Sequence, residues 1–251
     1  MTEKYFIGDK IDKGCFGEIF LGRNLFTNED LIIKRSKLDD LSIKNEAKIY
    51  NYLNNLEFIP IFKDFFQCNN FNNLVIEKMD NNLNVYKGKL NDNNFKDITT
   101  QIFKCLEFMH NKGIVHRDIK PNNFLVKDNK IKICDFGCSR QIVIKNKFIK
   151  EKNIDKIIGS ANYISLNVHK LLEPSMRDDI ESAVYVIYYL LEKLDWVYNE
   201  ISIDDVIEKK SKFSNKIIDY CRGLNFNHIP QYSKIYGYLQ LDDFQFQHDG
   251  N

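Results

Sequence analysis

Residues 114 to 126 read IVHRDIKPNNFLV. An apolar pair leads in and an apolar, strand-like triplet follows. Between them stand His116, Arg117, Asp118, Lys120, Pro121 and Asn123. Polar side chains this dense between buried anchors cost free energy unless they form a site. Asp135-Phe136-Gly137 follows seventeen residues after Asp118, directly behind the strand-like KIKIC. Upstream, LIIK puts Lys34 at the end of a candidate strand, and Glu46 lies on the helix after it. A lone HRD, a lone DFG or a lone strand lysine carries little information. Their order and their placement on successive elements carry the reading.

The elements around this segment can be read from periodicity. Residues 92–112 predict an amphipathic helix, with Phe95, Ile98, Ile102, Leu106 and Met109 at steps of three and four. Lys112 and Gly113 supply its last-turn cation and its stop. Two short strands, 124–126 and 130–133, flank Asp128-Asn129. Before the helix, β-branched and aromatic runs predict strands at 5–11, 18–23, 30–35, 60–66 and 72–77. Residues 41–53, LSIKNEAKIYNYL, show helical spacing, with Leu41, Ile49, Tyr52 and Leu53 on the apolar face and Glu46 and Lys48 outside it. The Asn-rich stretches at 69–73 and 81–94 and the polar segment 138–158 read as loops. AVYVIYYLL, 183–191, falls short of the roughly 20 residues a bilayer span needs, so a helix buried on all sides over 180–192 is expected. The last ninety residues look mostly helical. The expected class is α+β, with a small β-rich part to about Met79 and a larger helical part over about 80–251.

The chain of 251 residues carries 36 basic and 35 acidic side chains, a net charge of +1. That balance gives no global pull toward nucleic acid or a membrane, and neither partner is expected. None of the six cysteines forms a C-x-x-C pair or a zinc-like spacing with histidine, so reduced thiols in a cytosol-like compartment are expected. The N-terminus lacks the long apolar stretch of a signal peptide. The 29 Asn and 32 Ile against 3 Ala fit an AT-rich genome, such as that of some large DNA viruses or protists.

KIDKGCFGEIF, residues 10–20, holds Gly14 and Gly17 between strand-like residues. A phosphate-cradling G-x-G-x-x-G would need a third glycine where Asp12 stands. The stretch alone reads equally as a nucleotide loop with one defect or as a plain hairpin.

Taken together, HRDxKPxN, DFG, the strand lysine and the helix glutamate resemble the signature set of the protein kinases, over essentially the whole chain. The resemblance implies a bilobal kinase fold, with ATP and Mg²⁺ as cofactors. It implies that Lys34 holds the α- and β-phosphates and pairs with Glu46. Asn123 and Asp135 would hold the metal, which prefers oxygen ligands. Asp118 would accept or orient the proton of the substrate hydroxyl, with Lys120 near the γ-phosphate. A lysine at 120 is more similar to serine/threonine than to tyrosine kinases. KIDKGCFGEIF then resembles the glycine-rich loop. Ile11, Gly14, Cys15, Phe16, Gly17 and Ile19 would line the nucleotide site, as would Glu77 and Met79. His116 is read as a packing residue, and Cys15 and Cys134 as packing neighbours of the nucleotide.

The subfamily is carried by the C-terminal half. Ser165-Leu166-Asn167, where most kinases have A-P-E, resembles the S-I-N of the casein kinase I family. So does RDDIES, 177–182, whose Asp179 would brace the catalytic loop. KFSNKIIDYCRGLNFNHIPQYSKIYGYL, 212–239, matches the family's Tyr-Cys-Arg, Leu-x-Phe and Pro-x-Tyr. The vaccinia-related kinases share parts of this pattern. Three departures stand out: Asp12 in the loop, Asn162 in place of a phosphate-binding arginine, and a short basic segment over 196–211. The last two imply less dependence on phosphate-primed substrates. Ser139, Ser160 and Tyr163 are candidate phosphorylation sites, which the family does not generally need. The resemblance implies a cytoplasmic enzyme (host cytoplasm for a viral member, the nucleus also allowed). It would be monomeric, act on Ser/Thr of protein substrates, and end where the catalytic core ends. The rival readings are a pseudokinase scaffold and a small-molecule kinase. Lys34, Asp118 and Asp135, which degraded pseudokinases tend to lose, are all present.

Overall fold

The computed structural model describes residues 4–14, 17–54, 57–197 and 200–244. The chain opens with β1 (Tyr5–Gly14), β2 (Gly17–Asn24) and β3 (Asp30–Lys37), then α1 (Leu41–Leu53), β4 (Phe62–Cys68) and β5 (Phe71–Glu77). The five strands form one antiparallel sheet in the order β1-β2-β3-β5-β4. Side chains alternate across a strand. Leu31 and Ile33 therefore pack with Tyr5 and Val75 on one face of the sheet. Lys34, of opposite parity, shares the other face, where Ile32, Leu74 and Ile76 join the core that includes α1.

On α1 the expected apolar stripe is corrected. Leu41 and Tyr52 are exposed, while Ile43, Glu46, Ala47, Ile49, Tyr50 and Leu53 are buried. Positions 43, 46, 47 and 50 make a regular helical face. A pattern built on apolar residues alone rejects Glu46, because its burial depends on a partner from β3. Asn72 and Asn73, where the expected loop over 69–73 and the expected strand over 72–77 overlap, are buried in β5. There Asn72 Nδ2 donates to Lys37 O at 2.9 Å and Asn73 Oδ1 accepts from Arg35 Nε at 2.9 Å.

Beyond the sheet, β6 (Asn81–Asn82) precedes α2 (Phe95–Asn111), and β7 (Ile114–Val115) leads into the polar cluster. All five expected apolar positions of α2 are buried. β8 (Phe124–Lys127) and β9 (Lys130–Ile133) pair as a hairpin, with β6 alongside β8. The segment expected as loop holds β10 (Arg140–Gln141), β11 (Val143–Ile144) and β12 (Lys147–Phe148). Its Ile142 is buried against Val115 and Met176.

The helices α3 (Leu166–His169), α4 (Met176–Leu190), α5 (Ile203–Lys212), α6 (Lys216–Arg222) and α7 (Tyr232–Gly237) complete the described chain. Buried α4 begins four residues earlier than expected. Asp178 caps it, accepting from Ser175 N at 2.7 Å. Among the described residues, no helix is long and apolar enough to cross a membrane.

Candidate active site

The polar cluster is held from below by α4. Asp179 is buried, and its two oxygens accept the backbone N–H of His116 at 2.7 Å and of Arg117 at 2.9 Å. His110 Nε2 lies 3.1 Å from the same carboxylate, and its Nδ1 is 2.7 Å from Tyr232 Oη. These bonds hold Arg117 at φ +68°, a left-handed conformation that non-glycine residues rarely adopt. Gly159, at φ +101°, backs the turn; a Cβ there would sit 2.6 Å from Arg117 O. His116 is buried, with Nε2 2.9 Å from Cys134 O, which agrees with its reading as a packing residue.

Asp118 is thereby presented with a fixed rotamer. Its Oδ1 accepts from Ser160 Oγ at 2.7 Å and its Oδ2 from Lys120 Nζ at 2.7 Å. Asn123 Nδ2 donates to Asp118 O at 2.8 Å, so its amide oxygen is the atom left to offer a cation.

Lys34 joins the sheet to this loop region. Its Nζ lies 2.7 Å from both Glu46 Oε2 and Asp135 Oδ1. Burial opposes its charge, but the two carboxylates outweigh burial and hold its pKa above the usual lysine range. Burial likewise works against the Asp135 carboxylate, and Lys34 overcomes it, keeping Asp135 below its usual range. Burial also raises Glu46, against the pull of Lys34. Asp135 stands at φ +65°, a second strained residue at the site. The fully buried ring of Phe136 packs edge-on against Tyr50 of α1, at 4.7 Å, and against His116, at 5.7 Å. That stack ties the helix carrying Glu46 to both loops.

The opening hairpin closes at Gly14 opposite Gly17. Cys15 and Phe16 lie outside the described residues. Gly17 has a packing reason as well as a place at the tip: at φ +133°, a Cβ would sit 2.3 Å from Arg35 O of β3. Ile11 is exposed on β1, and Ile19 pairs across from Lys34 on β2. Asp12 is exposed opposite Ile19, and its carboxylate accepts from the neighbouring Lys13 N–H at 2.7 Å. Met79 is buried just beyond β5. The Glu77 side chain accepts from Lys132 Nζ at 2.8 Å and from Ile61 N at 3.1 Å. It therefore ties the end of β5 to β9 and to the segment before β4.

Other residues singled out in the sequence have structural work. Ser165 Oγ and Asn167 Nδ2 donate to Asp178 at 2.6 and 3.0 Å. Arg222 bridges α6 to α4 through Glu181 at 3.0 Å. Ser139 is buried, its Oγ donating to His116 O at 3.2 Å. Burial pushes the Cys134 thiol well above its usual range and Cys138 up to about 11, so neither is an activated thiol. Ser160 on Asp118 was missed as a site residue: forty-two positions separate the two, and nothing local marks their contact.

Buried Lys210 holds the chain beside Ser160, donating to Ala161 O at 3.0 Å and Ile164 O at 2.8 Å. Burial lowers its pKa from 10.5 to about 7, with Glu181 partly offsetting it. The unfolded chain therefore binds the extra proton between those two values, and folding gains stability as pH rises through that window. Melting curves of wild type and Lys210→Met from pH 7 to 10 should diverge, with wild type gaining several degrees relative to the variant. Parallel curves would refute this account.

A sheet lysine tied to a helix carboxylate and to an aspartate in a strained turn, beside a second aspartate with a fixed rotamer, defines a phosphotransferase of the kinase class. The family model described as protein kinase domain matches residues 5–235, and the chain belongs to that family. The family uses ATP with a divalent metal ion and acts on proteins. The donor set here fits a hard cation, because Asp135 and Asn123 offer carboxylate and amide oxygens.

Proposed function

We propose that the chain is an active serine/threonine protein kinase of casein kinase I type, dividing into two lobes near Met79. It would transfer the γ-phosphate of ATP to Ser or Thr of protein substrates. The arrangement of Lys34 between Glu46 and Asp135, together with Asp118 held by Ser160 and Lys120, carries this reading. Phosphoryl transfer depends mostly on positioning and charge stabilisation, and these firmly held charged groups are suited to supply both.

Asp118 orients the substrate hydroxyl and takes its proton. Lys120, on the same carboxylate, adds positive charge beside the acceptor. Lys34 steadies the phosphates, and the backbone at Gly14 and Gly17 covers them. Asn123 and Asp135 would hold Mg²⁺, which supplies charge neutralisation at the transferred group. Lys120 supports serine/threonine preference, and Ser165, Asn167, Asp179 and Tyr232 support the casein kinase I assignment. A monomer in the cytoplasm, host cytoplasm for a viral member, completes the reading. Transfer of labelled phosphate to casein, with Asp118→Ala and Lys34→Met as controls, tests it. Absence of control-sensitive transfer with Mg²⁺ or Mn²⁺ would favour the scaffold reading.

Two features tune the site. The exposed Asp12 carboxylate repels phosphates weakly, through screened solvent. Asp12→Gly is expected to lower the ATP KM by about two- to threefold without being needed for activity. A KM that stays level or rises counts against this. Asn162 replaces a phosphate-binding arginine, so a phosphoserine-primed peptide and its unprimed twin are expected to react at similar rates, within about threefold. A large preference for the primed peptide would sink the idea.

A further inference from the structure

The loop at 160–164 turns its carbonyls toward a single buried ammonium and an indole. Lys210 of α5 is 0% exposed, and its Nζ donates to Ala161 O at 3.0 Å and to Ile164 O at 2.8 Å, with His169 Nε2 3.2 Å away. Burial, and then the Lys210 charge, hold the pKa of His169 down to about 4, so the imidazole is neutral near pH 7 and can offer that nitrogen as an acceptor. Trp196, in the segment between α4 and α5, takes a third carbonyl of the loop: its Nε1 donates to Asn162 O at 2.9 Å. The loop's own turn is closed by Ser160 O, which accepts from Tyr163 N at 2.8 Å and from Ile164 N at 3.2 Å. The carbonyls of 160, 161, 162 and 164 are therefore all engaged, while Ser160 Oγ reaches out to Asp118.

The charge explains what the lysine is for. An ammonium has three protons to place, and here three acceptors meet it. The rings of Tyr185 and Trp196 lie 5.1 and 5.7 Å from the same nitrogen and favour a cation. Among the described residues no carboxylate forms an ion pair with it. Glu181 is bonded instead to Arg222, at 3.0 Å, and to Tyr185, at 2.6 Å. An apolar side chain would fill this space without desolvating a charge. What the ammonium adds is a hold on two carbonyls of one loop. The hold has a firm base, because Arg222 Nη2 donates to Lys210 O at 2.8 Å while pairing with Glu181 of α4. Lys210 thus stands between the α4–α6 pair and the loop that carries Ser160.

We propose that Lys210 is a positioning residue for phosphoryl transfer: through the carbonyls of Ala161 and Ile164 it sets the loop whose Ser160 holds Asp118, and with it the place of the protein substrate. The inference rests on the kinase reading and names a residue, forty-nine positions from Ala161, that keeps that same site in order.

The test uses the full chain as wild type, Lys210→Met and Lys210→Ala. Methionine keeps the apolar stem and its packing, so it guards against simple misfolding. In Lys210→Met, kcat is expected to fall about tenfold or more and the protein-substrate KM to rise about threefold, with the ATP KM within about twofold of wild type. The atoms that Lys210→Ala removes are those of n-propylamine. That amine at tens of millimolar is expected to restore kcat in Lys210→Ala by about threefold or more, and tetramethylammonium, a cation with no proton to donate, is expected to leave it unchanged. Amide hydrogen exchange of Tyr163 and Ile164, measured without nucleotide, is expected to quicken about tenfold in both variants and to slow again when propylamine is added to Lys210→Ala. Unchanged exchange at those two amides overturns the proposal, whatever the activity. So does a kcat within about twofold of wild type in Lys210→Met, equal rescue by tetramethylammonium, or faster exchange spread over the whole chain. A wild type with no Asp118-dependent transfer sinks the kinase reading instead, and exchange with and without propylamine still decides whether Lys210 anchors the loop.

Discussion

Asp118→Ala is expected to slow phosphoryl transfer by about 10²- to 10⁴-fold, with ATP binding changed by no more than about twofold. Asp118 is the one carboxylate of the cluster that Ser160, Lys120 and Asn123 all grip, which fixes the position of both of its oxygens. On the proposed reading, removing it deletes the proton acceptor but leaves Lys34, Glu46 and Asp135 in place. Lys34, Glu46 and Asp135 form their own set and do not depend on Asp118 for position. The effect should therefore fall on kcat. Single-turnover transfer and nucleotide titration on the same preparation separate the two quantities. A variant that transfers phosphate within about threefold of wild type would remove Asp118 from the chemistry.

Asp179→Asn is expected to cost about 3 kcal/mol of stability, or roughly 6–12 °C in Tm, together with most of the activity. The carboxylate accepts two backbone N–H groups and faces His110, all in a buried setting. Asparagine keeps the volume but has one acceptor oxygen, so its amide N–H₂ must face either the His116 or the Arg117 donor. Two donors facing each other leave a buried polar group unsatisfied. The lost bonds are also those that hold Arg117 in its strained turn, so the catalytic loop should loosen before the rest of the fold melts. A Tm within about 2 °C of wild type, read by calorimetry, would show that the network is not what holds the turn.

Much of the site was legible in the chain, for reasons that differ by residue. Asp118, Lys120 and Asn123 lie within six positions of one another, so local spacing alone brings them together. Asp135 follows a strand that ends at the same edge. Lys34 and Glu46 are twelve positions apart, on adjoining elements. Even so, the helical pattern put Glu46 on the wrong face, because apolar periodicity has no place for an acid whose partner comes from another strand. Asp179 was legible through resemblance, and the structure gives its reason in two backbone bonds. For Glu77, which the resemblance puts at the nucleotide, the structure adds side-chain bonds to Lys132 and Ile61 that no sequence pattern marks. The resemblance gives Gly17 a place beside phosphate, and its missing Cβ is also required by Arg35 of the neighbouring strand.

The order of motifs, the strand and helix periods and the charge balance are properties of the chain itself. They sufficed for the α+β class, for most element positions and for singling out Asp118 and Asp135. Which long-range groups meet is different, because it depends on how elements pack. Glu173 between Arg117 and Arg140, Ser160 on Asp118 and Lys210 under the loop at 161–164 span between 33 and 56 positions. No sequence period links residues so far apart. A buried charge declares its purpose only when its partner stands beside it, and that is decided by the tertiary fold.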